Sequence, residues 1–404
     1  MKSILLGAFA LMAAGASAAW TFDRSTMTAT DGSWTVTFVA DGENLGIKTV
    51  TGSGDLDFTT FYADTGVKIT KSVTYNGNAG GTGTKAFSRR NFITSVKAPD
   101  LITVGYSEFW QCSALTNAYL PSARKFGDWC FNECKKLESL TISPDTVALP
   151  SDFSNGNPLL KELLPAELTA LETIGSNAFR DCKKFASTLY CPNLTNIAQS
   201  AFLNCFMFEG IHFPKIKSIG QGAFSDSRSL KKITPFLPDS LTVINGSIFW
   251  RGSTVLSFVQ EEPLRIANSS ITKIGSYAFT GVTTKFTMPV HIYSPVANIA
   301  QDAFTPCVKG QEFNFYSDVV PSFGLRGIHT AGAGRVVFKI HSASALTAWR
   351  TACETYANKF ESWMAQADYP GKKTVGVIDC SNGQGTYAWV IDATASGGTM
   401  MMVR

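Results

Sequence analysis

The middle of the chain repeats one order of apolar and polar positions: a β-branched or aromatic residue, a small residue, two variable positions, often Ala, then Phe, and three residues later often Cys. The clearest copies are Ile174-Gly175-Ser176-Asn177-Ala178-Phe179 with Cys182, and Ile197-Ala198-Gln199-Ser200-Ala201-Phe202 with Cys205. Others are Ile219-Gly220 with Ala223-Phe224, Ile274-Gly275 with Ala278-Phe279, and Ile299-Ala300 with Ala303-Phe304 and Cys307. Weaker copies centre on Phe109 with Cys112, Phe131 with Cys134, Phe153 and Phe249, which makes nine units between Val104 and Tyr316. After each Phe comes an apolar residue and then a short alternating stretch, as in Phe208, Ile211, Phe213 and Pro214, and alternation of this kind predicts a strand. A second apolar step leads back to the next Ile-Gly. Each unit is thus expected to be one coil with a strand, a turn and a tight corner, the corner carrying a short helix.

The Phe positions lie 22, 22, 26, 23, 22, 25, 30 and 25 residues apart. That period falls in the ~20 to 29 range of leucine-rich repeats. A single coil cannot bury its apolar side, so neighbours must stack, strand beside strand at ~4.8 Å, into a mainly β solenoid. The Phe side chains should then form one internal spine. The phrase resembles the BspA-like leucine-rich-repeat family of bacterial surface proteins, whose units share the wording Ile-Gly-x-x-Ala-Phe-x-x-Cys-x-x-Leu, and the likeness covers residues 92–316. The resemblance implies a surface-displayed protein that attaches to host matrix proteins, mucosal surfaces or other cells.

The flanks carry other patterns. Residues 1–18 read as a secretory signal, with Lys2, an apolar stretch over residues 4–14, and the cleavage pattern Ala16-Ser17-Ala18. The apolar stretch is too short to span a bilayer, which needs ~20 residues, and the end Met400-Met401-Met402-Val403-Arg404 is shorter still, so no integral membrane segment is expected. Residues 19–91 alternate as short strands, with Trp34, Val36 and Phe38 apolar between Thr35 and Thr37, and read as a β-rich cap over the open end of the stack. A Gly-rich loop over residues 76–85 lacks the Gly-Lys-Ser/Thr spacing of a phosphate loop and is read as a turn. Residues 317–404 are expected to form a second cap. It comprises a strand over residues 335–340, and a helix starting at Ser342 or Ser344 with Leu346, Trp349, Cys353, Tyr356, Phe360 and Trp363 on one face. A hairpin joining residues 375–378 to 387–391 follows.

Charge and chemistry narrow the function. The formal net charge is +4 and charged residues make up 16%, which is no footprint for nucleic acid, while 45% hydrophobic residues supply a sizeable core. Of the nine cysteines, five share one place in the repeat, where Cys acts as a small buried hydrophobe. Adjacent coils would allow Cys112 to bond Cys134 and Cys182 to bond Cys205, though free thiols are the preferred reading, and Cys353 with Cys380 is a third pairing left open. The spacing offers no metal site: Cys130 and Cys134 look buried, and His212, His291, His329 and His341 are scattered. No G-x-S-x-G phrase marks a nucleophile. No enzyme and no cofactor are expected.

The remaining candidates lie on the strands. Residues between the apolar ones point outward, and stacking sets them in rows on one broad face. These include Asn117 and Tyr119, Ser139 and Thr141, Gly210 and His212, Lys232 and Thr234, and Asn314. A mixed, lightly charged row suits an extended protein or glycan better than a small molecule, which needs a concave apolar pocket. Three readings stay open: a secreted or surface-associated adhesin, a matrix protein that binds copies of itself, and a glycan- or peptide-degrading accessory.

Overall fold

The computed structural model describes residues 19–72, 85–251, 263–280, 289–307, 311–324, 327–330, 336–342, 344–345, 348, 389–392 and 400–402. An antiparallel meander opens the chain, with Thr21–Asp23, Thr28–Thr30, Thr35–Asp41 and Asn44–Thr51 paired in sequence order. Asn44–Thr51 then pairs parallel with Ile69–Ser72, and that strand with Thr103–Val104. The antiparallel sheet thus runs directly into a parallel ladder. Buried Trp34 and Trp20 fasten the meander to the first coil strand, Gly54–Asp57, by indole N–H donation to the carbonyls of Asp55 at 2.8 Å and Asp57 at 2.9 Å.

From there the chain coils. Each coil lays down a longer and a shorter strand, and both kinds pair in parallel with the next coil. The shorter strands form one continuous eight-stranded ladder from Ala148–Leu149 through Thr173–Ile174, Asn196–Ile197, Ser218–Ile219, Val243–Ile244, Lys273–Ile274 and Asn298–Ile299 to Ser322–Phe323. Its inward residues, Ile174, Ile197, Ile219, Ile244, Ile274 and Ile299, are buried, as the Ile-Gly step predicts.

The longer strands divide into segments. Gly54–Asp57, Ile93–Lys97, Asn117–Tyr119, Ser139–Thr141 and Glu162–Leu164 form the first sheet; Thr188–Tyr190, Gly210–His212 and Lys232–Thr234 form the second. Leu264–Ile266, Val290–Ile292, Gln311–Phe315, Val336–Ile340, Trp389–Asp392 and Met400–Met402 form the third. Each break follows a coil whose link to its shorter strand is long: residues 165–172 and 235–242, against residues 191–195 in an unbroken coil. The longer link carries the chain away from the ladder position. Across the second break the phase also reverses. Leu140, Leu189 and Ile233 point inward from strand centres, whereas Arg265 and His291 occupy centres and point outward between buried Leu264 and Ile266, and Val290 and Ile292.

The Phe spine exists and is longer than the repeat phrase indicates. Phe179, Phe202 and Phe224 are fully buried with centroids 5.4 and 5.5 Å apart, stacked within 11°. At the other end Phe87 stacks on Phe109 at 4.5 Å, adding a coil before the first recognised Phe. The expected corner helices are absent among the described residues of the repeats; the described α-helical residues are Phe61–Thr65 and, where a helix was expected to start after the stack, Ser344, Ala345 and Ala348. Instead φ turns positive at every fourth corner residue, as at Asn177 (56°), Asp181 (61°), Ser200 (57°) and Asn204 (61°). Asn and Asp tolerate this left-handed region better than other residues with a Cβ. The flips turn alternate N–H groups along the stack, so Asn177, Phe179 and Asp181 donate to the carbonyls of Gln199, Ala201 and Leu203. Helical bonding within the corner is replaced by bonding between coils.

The seven described cysteines, Cys112, Cys130, Cys134, Cys182, Cys191, Cys205 and Cys307, are buried, and neither Cys112–Cys134 nor Cys182–Cys205 is bonded. Their thiols have another task. Cys112 donates to the carbonyl of Phe87, Cys134 to that of Phe109 and Cys205 to that of Phe179, each at 2.9 Å. Where the repeat lacks Cys, Asn157 and Ser227 make the same contact, to Phe131 at 2.8 Å and Phe202 at 2.9 Å. The first coil has its own solution. Glu108 stands where the repeat has Ala, and its buried Oε1 accepts the N–H groups of Ala86 at 2.9 Å and Phe87 at 3.3 Å.

The expected helix face over residues 346–363, the strand over 375–378, the Cys353–Cys380 pairing, the Gly-rich loop at 76–84 and the signal at 1–18 lie outside the described residues. The antiparallel partner of Trp389–Asp392 is Met400–Met402, a pairing the hairpin reading did not contain.

Candidate functional site

The outward face of the longer strands gathers the candidate side chains, in three groups that follow the sheet breaks. In the first sheet Asn117 stands beside Ser139, which stands beside Glu162; Tyr119 stands beside Thr141, which stands beside Leu164. Tyr119 is 38% exposed, while Asn117 and Thr141 are half-buried. Lys97, in register with Tyr119, forms an ion pair with Asp57 at 2.9 Å.

In the second sheet Tyr190, His212 and Thr234 share one row. Tyr190 and His212 stack at 4.8 Å with planes 3° apart, and His212 Nδ1 bonds the Thr234 hydroxyl at 2.8 Å. The neighbouring row is Thr188, Gly210 and Lys232. A Cβ at Gly210 would run into the backbone of Lys232, so this row has a gap where a side chain would otherwise stand.

The third sheet holds the densest cluster. Arg265, His291 and Asn314 are in register at the strand centres. Just beyond the strand ends Tyr293 stacks on Tyr316 at 4.2 Å, and Tyr316 on His341 at 4.1 Å, all within 12° of parallel. The Arg265 guanidinium lies 5.0 Å from the Tyr293 ring centroid. His291 Nδ1 bonds the Tyr316 hydroxyl at 2.9 Å, and His341 Nε2 bonds Asn314 Oδ1 at 2.8 Å. Burial, and then the Tyr293 hydroxyl, push the Tyr316 phenol up to about 12, so that phenol is neutral at any physiological pH.

These contacts revise two expectations. Asn314 faces outward but is only 4% exposed, because the neighbouring coil's imidazole covers it; it supports the cluster and is not itself an open contact. The histidines are scattered in sequence, yet His212, His291 and His341 come to one face of the stack. Tyr190, Arg265, His291, Tyr293, Tyr316 and His341 were not among the sequence candidates. The one trace of them in the sequence is the recurrence of Tyr or His at or just after a longer strand's end. Among the described residues no group of three His, Cys, Asp or Glu side chains is placed to hold a metal, and no helix is long and apolar enough to cross a membrane.

No curated protein matches the chain. Among solved structures, a leucine-rich repeat protein from Bacteroides ovatus shares 19% identity, covering 77% of this chain and 73% of its own, with a TM-score of 0.46. A leucine rich cell surface protein from Faecalibacterium prausnitzii shares 19% over 77% of this chain and 76% of its own, with a TM-score of 0.36. The pneumococcal vaccine antigen PcpA shares 14% over 81% of this chain and 96% of its own, with a TM-score of 0.33. The pattern of the BspA type leucine rich repeat region, in six copies, matches residues 63–169, 153–263 and 260–323. The chain belongs to the BspA-type leucine-rich-repeat family.

Proposed function

We propose that the protein is an exported adhesin that recognises an extracellular protein or glycan through the outward face of its longer strands. The observation that carries this reading is the alignment of aromatic and polar side chains on that one face: Tyr119 and Thr141, then Tyr190 and His212, then Tyr293, Tyr316 and His341. Tyrosine supplies contact area with a polar tip and little rotamer entropy to lose, which favours it at recognition surfaces. A catalytic role would need a nucleophile or acid–base pair in hydrogen-bond reach of a bound substrate. On this face one ring nitrogen of each of these histidines is held by a neighbouring side chain: His212 by Thr234, His291 by Tyr316, His341 by Asn314. The N-terminal 18 residues serve export.

The test is binding of the purified protein to immobilised matrix proteins and mucin-type glycans, beside a variant with Tyr119, Thr141, His212 and Lys232 changed to Asp. Binding that a still-folded variant loses supports the adhesin. A protein that binds none of them and whose molar mass rises with its concentration is a self-associating matrix component instead.

A further inference from the structure

The strand face has a sign. Along four consecutive coils its outward side chains are His212, then Lys232 and Thr234, then Arg265, then His291, with Tyr293 just past the strand end. Among the described outward positions of these strands there is no carboxylate; Glu167, bridged to Tyr190, precedes the run and Glu312 stands on the strand beyond His291. Some lysines elsewhere are ion-paired, as in Lys71 with Asp41, Lys161 with Glu138 and Lys231 with Glu209. Lys232 and Arg265 form no ion pair among the described residues. Both side chains face outward.

The rings on this strip are stacked on one another, which turns their rims, with phenol oxygens and imidazole nitrogens, away from the stack. Arg265 covers the face of Tyr293 that the stack leaves over. Such a surface offers hydrogen bonds and positive charge but no apolar pocket in which a protein partner's hot-spot side chain could be buried. Within each sheet its residues follow one another at the ~4.8 Å strand spacing.

We propose that this strip binds an anionic polysaccharide, one bearing carboxylate or sulfate groups, laid across the strands. Its charged groups meet Lys232 and Arg265, and its hydroxyls meet His212, Thr234 and Tyr293. The inference rests on the strand-face reading above and names the chemical class of its ligand.

The test measures binding of the purified protein to heparin, to polygalacturonate and to neutral dextran, at low and at raised salt. The expected result is salt-sensitive binding to at least one of the two acidic polymers and none to dextran, with heparin against polygalacturonate separating sulfate from carboxylate recognition. A Lys232→Ala/Arg265→Ala variant should bind about ten-fold more weakly or worse. Lys135→Ala/Lys136→Ala, which removes the same charge away from the strand face, should bind as the parent does. Equal binding to dextran, equal loss in both variants, or binding to neither acidic polymer overturns the inference. Mucin measured before and after enzymatic removal of its acidic groups separates the two readings. If binding is unchanged by that removal, the adhesin stands and the anionic ligand falls; if mucin and the matrix proteins are not bound at all, the adhesin reading itself fails.

Discussion

The thiol of Cys205 donates to the carbonyl oxygen of Phe179, one coil earlier in the stack, at 2.9 Å. That carbonyl lies in the corner, where positive-φ residues have turned the peptide planes out of a helical arrangement. The repeat's Cys is therefore a hydrogen-bond donor small enough to fit behind the Phe spine. Ser227 does the same for Phe202. Cys205→Ser should accordingly be tolerated, while Cys205→Ala leaves a buried acceptor without its donor and should cost about 1 to 3 kcal/mol. Denaturant unfolding of the two variants checks this; equal stability would mean that the contact contributes nothing.

Phe202 packs between Phe179 and Phe224 with no exposure. Neither neighbour can fill its space without losing its own stacking partner on the far side. Phe202→Ala should destabilise the protein by about 3 to 5 kcal/mol, read as a lowered thermal midpoint. Phe87→Ala, at the first coil with one stacking neighbour, should cost less.

Burial raises the Glu108 carboxyl from 4.5 to about 7, against the smaller opposing pull of the N–H groups of Phe87 and Ala86. The folded state therefore holds a proton that the unfolded chain releases at lower pH. Stability from this residue is greatest near pH 4.5 and falls as pH rises to 7, by an amount on the order of 3 kcal/mol. Asp41, Asp55 and Asp57 shift the other way and act below pH 4, outside that window. Unfolding free energies at pH 5 and pH 8 should show the parent losing stability relative to Glu108→Gln, whose amide stays neutral and still accepts both N–H groups.

Burial also pushes the Cys182 and Cys191 thiols up to about 12, and those of Cys130, Cys134 and Cys205 well upward. Thiolate is the reactive form. A charged thiol reagent should leave all seven described cysteines unmodified in the native protein and label them on unfolding, with the sites read by mass spectrometry. Native labelling at Cys182 or Cys205 would contradict the closed stack.

Much of this protein was legible in its sequence. The order Ile-Gly, Ala-Phe and Cys recurs because each coil must bury the same side against its neighbour, and a one-dimensional stack turns that requirement into a period. The inward positions, the spine and the outward placement of Tyr119, Thr141, His212 and Lys232 all follow from counting. Phe87 escaped because its coil begins in the N-terminal region and lacks the Ile-Gly step, although Ala86-Phe87 stands in the chain.

Tertiary structure decided what stands beside what. Sheet breaks and the phase reversal depend on a few additional residues in the links at 165–172 and 235–242, which shift a strand's register without altering the local pattern that announces it. The corner's left-handed residues came from bonding between coils, which no single unit contains. Tyr293, Tyr316 and His341 became one stack because parallel stacking brings together residues about 25 apart in sequence, at a separation that local patterning does not reach.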